Sequence, residues 1–228
     1  MLKRSLAILA ALTLFTLAAC SDDSSDDTSG TDDAASSDAA SATCDYPSDG
    51  TEPARPVKAP APEPTVSGEV NVTIKSNIGD LNLVLDADEA PCTVNSFVSL
   101  ANQGFYDKTP CPRLGSAPGF GILQCGDPSG TTGGGPGYTV QDELDGDESY
   151  PAGTIAMANT GAPDTNGSQF FLVFADSKFD PTYTTFGTMD PATVKKLQAV
   201  GAKGDDGSNA AGGGAPNQPV NFTKVIVN

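Results

Sequence analysis

The residues that carry most hydrolytic and metal chemistry are missing from this chain or badly spaced for it. There is no histidine, which removes Ser-His and Cys-His nucleophile pairs and imidazole-bound metals. None of the five cysteines stands in a Cys-x-x-Cys pair, so no zinc ribbon or thioredoxin-like redox site is expected. The Gly-rich stretch 128–137 lacks the Gly-Lys-Ser/Thr ending of a phosphate-binding loop. No metal and no cofactor is expected. What is left for chemistry is arginine, carboxylates, amides, hydroxyls and apolar surface. Arg4 lies in the N-terminal leader and Arg55 in a proline-rich stretch, so Arg113 is the one arginine in the part patterned to fold. A guanidinium is always charged, offers several donors in a rigid fork and has no proton to lose. It suits electrostatic stabilisation rather than proton transfer.

The elements that must hold such a group are short. Val70, Val72 and Ile74 alternate within 69–76, and Leu81, Leu83 and Leu85 within 81–85, across an Asn77-Ile78-Gly79-Asp80 turn. This is a hairpin pattern. Pro91 opens and Gly104 closes a helix whose buried stripe is Val94, Phe97, Val98 and Ala101. Two short strands follow in 108–127, then strands at 153–159, 168–175 and 184–189. A second helix spans 191–200, a Gly/Ala/Asn loop 203–216, and a last strand 220–227. Some eight short strands and two helices predict a mainly β fold: a closed antiparallel barrel capped by two helices.

The N-terminal third reads as an address and a tether. Lys3 and Arg4 precede the short apolar run 5–17, which is below the roughly 20 residues of a membrane span. Leu17-Ala18-Ala19-Cys20 resembles a bacterial lipobox. The expectation is a signal peptide over 1–19, lipidation of Cys20, and a mature protein held on the outer face of the cell membrane. Residues 21–42 carry seven Asp and no Lys or Arg, and Pro53, Pro56, Pro60, Pro62 and Pro64 follow. Together, 20–67 reads as a solvated, then semi-rigid tether, with the folded domain over 68–228. A formal net charge of −17 argues against nucleic acid as a partner. A monomer is expected.

Cys20 aside, Cys44, Cys92, Cys111 and Cys125 make an even number in an exported chain, which points to two disulfides. Four cysteines allow three pairings. Cys111 and Cys125 flank two strand-like runs that a hairpin would bring together. The expected pairs are therefore Cys111–Cys125 and Cys44–Cys92, the second stapling the tether's end to the domain.

Gly153-Thr-Ile-Ala-Met-Ala-Asn159, followed by Asn166-Gly-Ser-Gln-Phe-Phe171, resembles the signature of the cyclophilins. Arg113, Pro118-Gly119-Phe120 and Gln124-Cys125-Gly126-Asp127 match that family's Arg…Pro-Gly-Phe…Gln-Gly-Gly-Asp stretch. Val94-Asn95-Ser96-Phe97, Gly104-Phe105-Tyr106-Asp107 and Thr185-Phe186-Gly187 match further blocks. The likeness covers about 68–228 in consistent order. It implies an eight-stranded antiparallel barrel with two capping helices and peptidyl-prolyl cis-trans isomerase activity on proline-containing polypeptides.

The resemblance also implies roles. Arg113 would donate to the prolyl nitrogen, with Gln124 holding it or the substrate carbonyl. An apolar cup for the proline ring would come from Phe120 or Ile122, with Phe171 and with Phe179 at the rim. Asn159 would bind substrate backbone through its own backbone, Ala158 leaving room beside it. Gln169 would contact residues preceding the proline, and Tyr183 stands where many members have His. The interval from Arg113 to Gln124 is longer than in common members, which leaves Phe120 and Ile122 as alternatives. A low-turnover module that merely holds proline-containing segments is the competing reading, and the presence of both Arg113 and Gln124 favours the enzyme.

Overall fold

A computed structural model of the chain describes residues 43–228. The expected signal peptide, Cys20 and the acidic run lie outside the described residues. Strands β1 (Glu69–Ser76) and β2 (Leu81–Asp86) form the expected hairpin, with Val70, Val72 and Ile74 buried opposite Leu85, Leu83 and Leu81. Helix α1 (Pro91–Asn102) follows, then β3 (Arg113–Ala117), β4 (Phe120–Cys125), β5 (Thr154–Met157), β6 (Phe170–Ala175) and β7 (Thr185–Met189). Helix α2 (Pro191–Gly201) and strand β8 (Phe222–Val227) complete the order. Asp190 caps α2, accepting from the Thr193 N–H, and proline fills the next position.

All eight strands join one antiparallel sheet in the order β3-β4-β6-β5-β7-β2-β1-β8. The sheet is curled but open, which corrects the expected closed barrel. Strands β3 and β8 are its two edges and do not pair with each other. One isolated bridge, Pro110 with Asn221, lies just outside the two edges, and another joins Leu114 of β3 to Gly214 of the 203–216 loop. The physical reason is that β3 spends its outer edge on the 203–216 loop: Leu114 and Gly214 exchange N–H···O bonds of 2.8 and 2.9 Å. That covers an edge which would otherwise be an unpaired template.

Three adjacent strands, β4, β6 and β5, work on both faces. In β6, Phe170, Leu172 and Phe174 enter the main core, while Phe171 and Val173 enter a second cluster on the opposite face. Strand β4 sends Leu123 and Cys125 one way and Ile122 the other; β5 does the same with Ile155 and Met157 against Ala156. Alternating side chains on a pleated strand dictate this split. The main core packs α1 and α2 against the sheet through Phe97, Phe186, Phe222, Leu197 and Val200. The second cluster is the floor of the candidate site.

Cys111–Cys125 and Cys44–Cys92 are bonded, the expected pairs. Residues 43–67 are a strap lying on the domain rather than the distal part of a spacer. Arg55 Nη1 reaches the carbonyls of Gly104, Phe105 and Asp107 at 2.6–2.8 Å. Asn95 of α1 donates to Tyr46 Oη and the Ala61 carbonyl and accepts from the Thr65 N–H. An extended proline-rich chain has no internal hydrogen bonds, so its polar groups are open to such partners.

Candidate functional site

Pairing register puts one row of side chains across the sheet. Arg113 of β3 lies opposite Gln124 of β4, Gln124 opposite Phe171 of β6, and Phe171 opposite Ala156 of β5. Directly paired residues share a face, so these project into the same space. That space is a cleft of about 510 Å³. Phe120, Ile122 and Gln124 are alternate residues of β4 and all line it. Both residues that the sequence left as alternatives, Phe120 and Ile122, stand on its wall.

Phe171 is the floor. Its ring meets Tyr183 at 5.4 Å and Phe179 at 5.8 Å between centroids, and Phe179 meets Phe120 at 5.7 Å. All of these are edge-on contacts, the favoured arrangement for aromatic pairs. Beneath them sits Tyr150, which sequence reasoning missed. Its hydroxyl donates to the Tyr183 carbonyl at 3.0 Å and accepts from the Tyr183 N–H at 3.0 Å. Burial pushes the Tyr150 phenol up from its ordinary value, so it acts here as a neutral hydrogen-bonding post. A lone tyrosine in an acidic stretch carries no sequence signal for this.

Among the described residues Arg113 is the one charged group lining the cleft. Its Nη1 donates to Gln124 Oε1 at 2.9 Å, Nε to the Gly212 carbonyl at 2.9 Å, and Nη2 to the Ala211 carbonyl at 2.8 Å. The guanidinium carbon lies 5.3 Å from the Phe120 ring centroid. Among the described residues no carboxylate comes within ion-pair distance of it. Burial lowers its pKa, an effect Tyr183 opposes; an arginine remains cationic regardless. The carbonyls of Ala211 and Gly212 were invisible in the sequence because they are backbone groups of a loop that looked like punctuation. The glycines around them were the only signal.

An amide relay fixes the arginine from the other side. Gln124 Nε2 donates to Gln169 Oε1 at 2.8 Å, and Gln169 Nε2 donates to the Thr132 and Gly134 carbonyls at 2.9 Å each. Asp127 anchors that loop by accepting from the N–H groups of Ser129, Thr131 and Gly134. Burial pushes the Asp127 carboxyl up, but those hydrogen bonds outweigh it and hold the pKa below the usual range.

Asn159 sits at the mouth with its side chain occupied. Nδ2 donates to the Thr182 carbonyl at 2.9 Å and Oδ1 accepts from the Gly161 N–H at 3.0 Å. Its backbone N–H and C=O have no protein partner among the described residues, which suits them to an extended peptide. Ala158, half-buried beside it, presents only a methyl group. Every expected site residue except Cys20 and the cysteine pairs therefore meets at this cleft, with Gln169 behind Gln124. A second cavity of about 430 Å³ adjoins it, with Gln124, Ala158 and Asn159 in the shared wall. No cluster of metal-ligating side chains occurs among the described residues.

Residues 70–225 match the family model described as cyclophilin type peptidyl-prolyl cis-trans isomerase/CLD. The chain is 42% identical over 203 residues to "Probable peptidyl-prolyl cis-trans isomerase B" of Mycobacterium tuberculosis, covering 82% of this chain and 64% of that one. A Mycobacterium leprae protein of the same name is 44% identical over 186 residues, covering 73% and 63%. The chain thus spans less than two thirds of the length of these relatives. Among solved structures it is similar to a cyclophilin-type isomerase of Cryptosporidium parvum, at a TM-score of 0.61 and 29% identity, covering 70% of this chain and 98% of that one. A structure of the same parasite protein in the presence of the dipeptide Ala-Pro gives 0.60 and 28%, covering 69% and 98%.

Proposed function

Because the chain belongs to the cyclophilin-type peptidyl-prolyl cis-trans isomerase family, we propose that it accelerates rotation about X-Pro bonds, with Arg113 as the stabilising donor. The carrying observation is an uncompensated guanidinium held at three points on the rim of an aromatic hollow.

Resonance keeps the X-Pro amide planar and sets a barrier of about 18–20 kcal/mol. Breaking that resonance localises a lone pair on the prolyl nitrogen, and only the twisted state offers it. A donor placed there binds the transition state better than the ground state, which is the condition for acceleration. No covalent bond is made or broken and no proton is transferred. The proline ring occupies the hollow of Phe171, Phe120, Ile122 and Phe179, with Tyr183 on the far wall. The backbone of Asn159 aligns the chain, and Gln124 keeps the fork pointed.

The full chain should speed cis-to-trans exchange of an Ala-Pro peptide, followed by NMR exchange spectroscopy, well above the blank. Arg113→Ala should lose roughly 10²–10³-fold of kcat/KM, the scale for removing one transition-state donor. A wild-type rate equal to the blank would leave only a proline-binding module.

The same reading sets the protein outside the cytoplasm, anchored by lipid on Cys20 and acting on exported or cell-surface chains. Its support is the Lys3-Arg4 leader, the Leu17–Cys20 box and two disulfides, which persist in oxidising compartments. Cys20→Ala should leave the precursor uncut or release the protein from membranes. Full retention of a cleaved Cys20→Ala protein would refute the anchor.

A further inference from the structure

The strap does more than lie against α1. Its backbone runs beside the loop that holds Gln169: Thr139 donates to the Pro47 carbonyl at 3.0 Å, Asp49 to Gly137 at 3.2 Å, and Ala54 to Gly135 at 2.9 Å. This brings Asp49 and Thr51 into the lining of the second cavity, which also contains the wall shared with the cleft. Both lie outside the residues that match the family model. Among the described residues Asp49 is the only carboxylate in that lining, and no Lys or Arg accompanies it. Its Oδ1 accepts from the backbone N–H and the hydroxyl of Thr51, both at 2.8 Å, which fixes the carboxylate's position. Oδ2 has no protein partner among the described residues. The two adjoining cavities therefore carry opposite charge, Arg113 in one and Asp49 in the other.

We propose that Asp49, delivered by the strap, makes this protein favour substrates with a lysine or arginine shortly before the proline and disfavour acidic residues there. The proposal rests on the isomerase reading for the seating of the proline. A peptide whose proline fills the first cavity continues past Gln124 and Asn159 into the second. A long cationic side chain entering it leaves the Arg113 charge behind and meets a carboxylate already held in place. An acidic side chain meets a like charge. Because the site is open to solvent, the effect has the size of a surface ion pair, about two- to five-fold, and weakens with salt.

The test uses the full chain and a peptide series in which Lys, Ala or Glu stands one or two residues before a single proline. Two quantities are read: isomerisation kcat/KM, and affinity by NMR titration, both at low salt. Lys should exceed Glu by about three-fold or more at one of those positions in wild type. Asp49→Asn should bring the ratio close to one, whereas Asp45→Asn, an exposed strap charge outside the cavity, should leave it unchanged. An unchanged ratio in Asp49→Asn, or an equal loss in Asp45→Asn, overturns the proposal, the latter by making general charge the cause. If affinity discriminates as stated but turnover is absent, the isomerase reading fails and the cavity's selectivity stands. If no peptide binds, the proposal fails with it.

Discussion

Three N–H groups of one guanidinium have three acceptors of different origin: a side-chain amide from the next strand and two carbonyls from a distant loop. That geometry makes Arg113→Lys a sharp test, because an ammonium keeps the charge but has no planar fork to satisfy all three. The substitution should lower kcat by roughly 10–100-fold with KM little changed, since the aromatic hollow that seats the proline is intact. The pH–rate profile should be flat from about pH 6 to 9, because the proposed donor does not titrate there and the chain has no histidine. Asp127 gives the opposite dependence. Its pKa is depressed in the folded state, so its contribution is complete above the unfolded carboxylate value of about 3.9 and is lost as pH falls toward its lower folded value. Asp127→Asn should therefore cost about 1–3 kcal/mol at pH 7, and the Tm gap to wild type should narrow as pH falls below about 4. Of these residues, Arg113 was legible by elimination and Gln124 by resemblance. The Ala211 and Gly212 carbonyls were not, because every residue carries a carbonyl and only the fold decides which ones point at a guanidinium.

At the scale of elements, the candidate site depends on how closely β3 and β4 can pack over the cleft. Gly115 lies beneath the Phe120 ring, and a Cβ there would overlap it. Gly115→Ala should turn Phe120 away from Arg113 and Phe179 and reduce kcat/KM on an Ala-Pro peptide about ten-fold or less, with a larger loss in affinity than in kcat. Strands β1 and β2 were plain in the sequence because one face is buried and alternation is strict. Strands β4 to β6 read as continuous apolar runs because both faces are buried, one by the core and one by the hollow. The missing closure between β3 and β8 was unreadable, since it turns on which distant segment takes an edge. Helix α1 shows the same limit. It has no side-chain N-cap, no acid in its first turn and no base in its last. Glu143, from a loop far along the chain, accepts from the N–H groups of Cys92 and Thr93 at 2.9 Å, and Arg55 serves the carbonyls just past the other end. These charges complement the helix dipole at both ends. Glu143→Gln should lower Tm by about 1–4 °C in a thermal melt.

The described part of the segment that composition marked as a spacer is fastened to the domain. Its extended character was legible from five prolines; its destination was not. Among its fastenings are the Arg55 contacts and the Cys44–Cys92 bond, which closes a separation of 48 residues. On the loop-closure model a bond of that span contributes about 4 kcal/mol. Hydrogen bonds from a charged donor contribute about 1.5–3 kcal/mol. If the strap docks as a unit, either fastening keeps the other's partners within reach, and losing one already frees part of what the other secures. The paired Cys44→Ser, Cys92→Ser variant combined with Arg55→Ala should then cost less in denaturant unfolding than the sum of the separate changes, by about 1 kcal/mol or more. Arg113 and its acceptors lie outside the strap, so whatever strap release changes in substrate choice should appear without loss of the Arg113–Gln124 contact in NMR spectra. Strict additivity of the two losses would mean that the strap is fastened at two independent points and does not dock cooperatively.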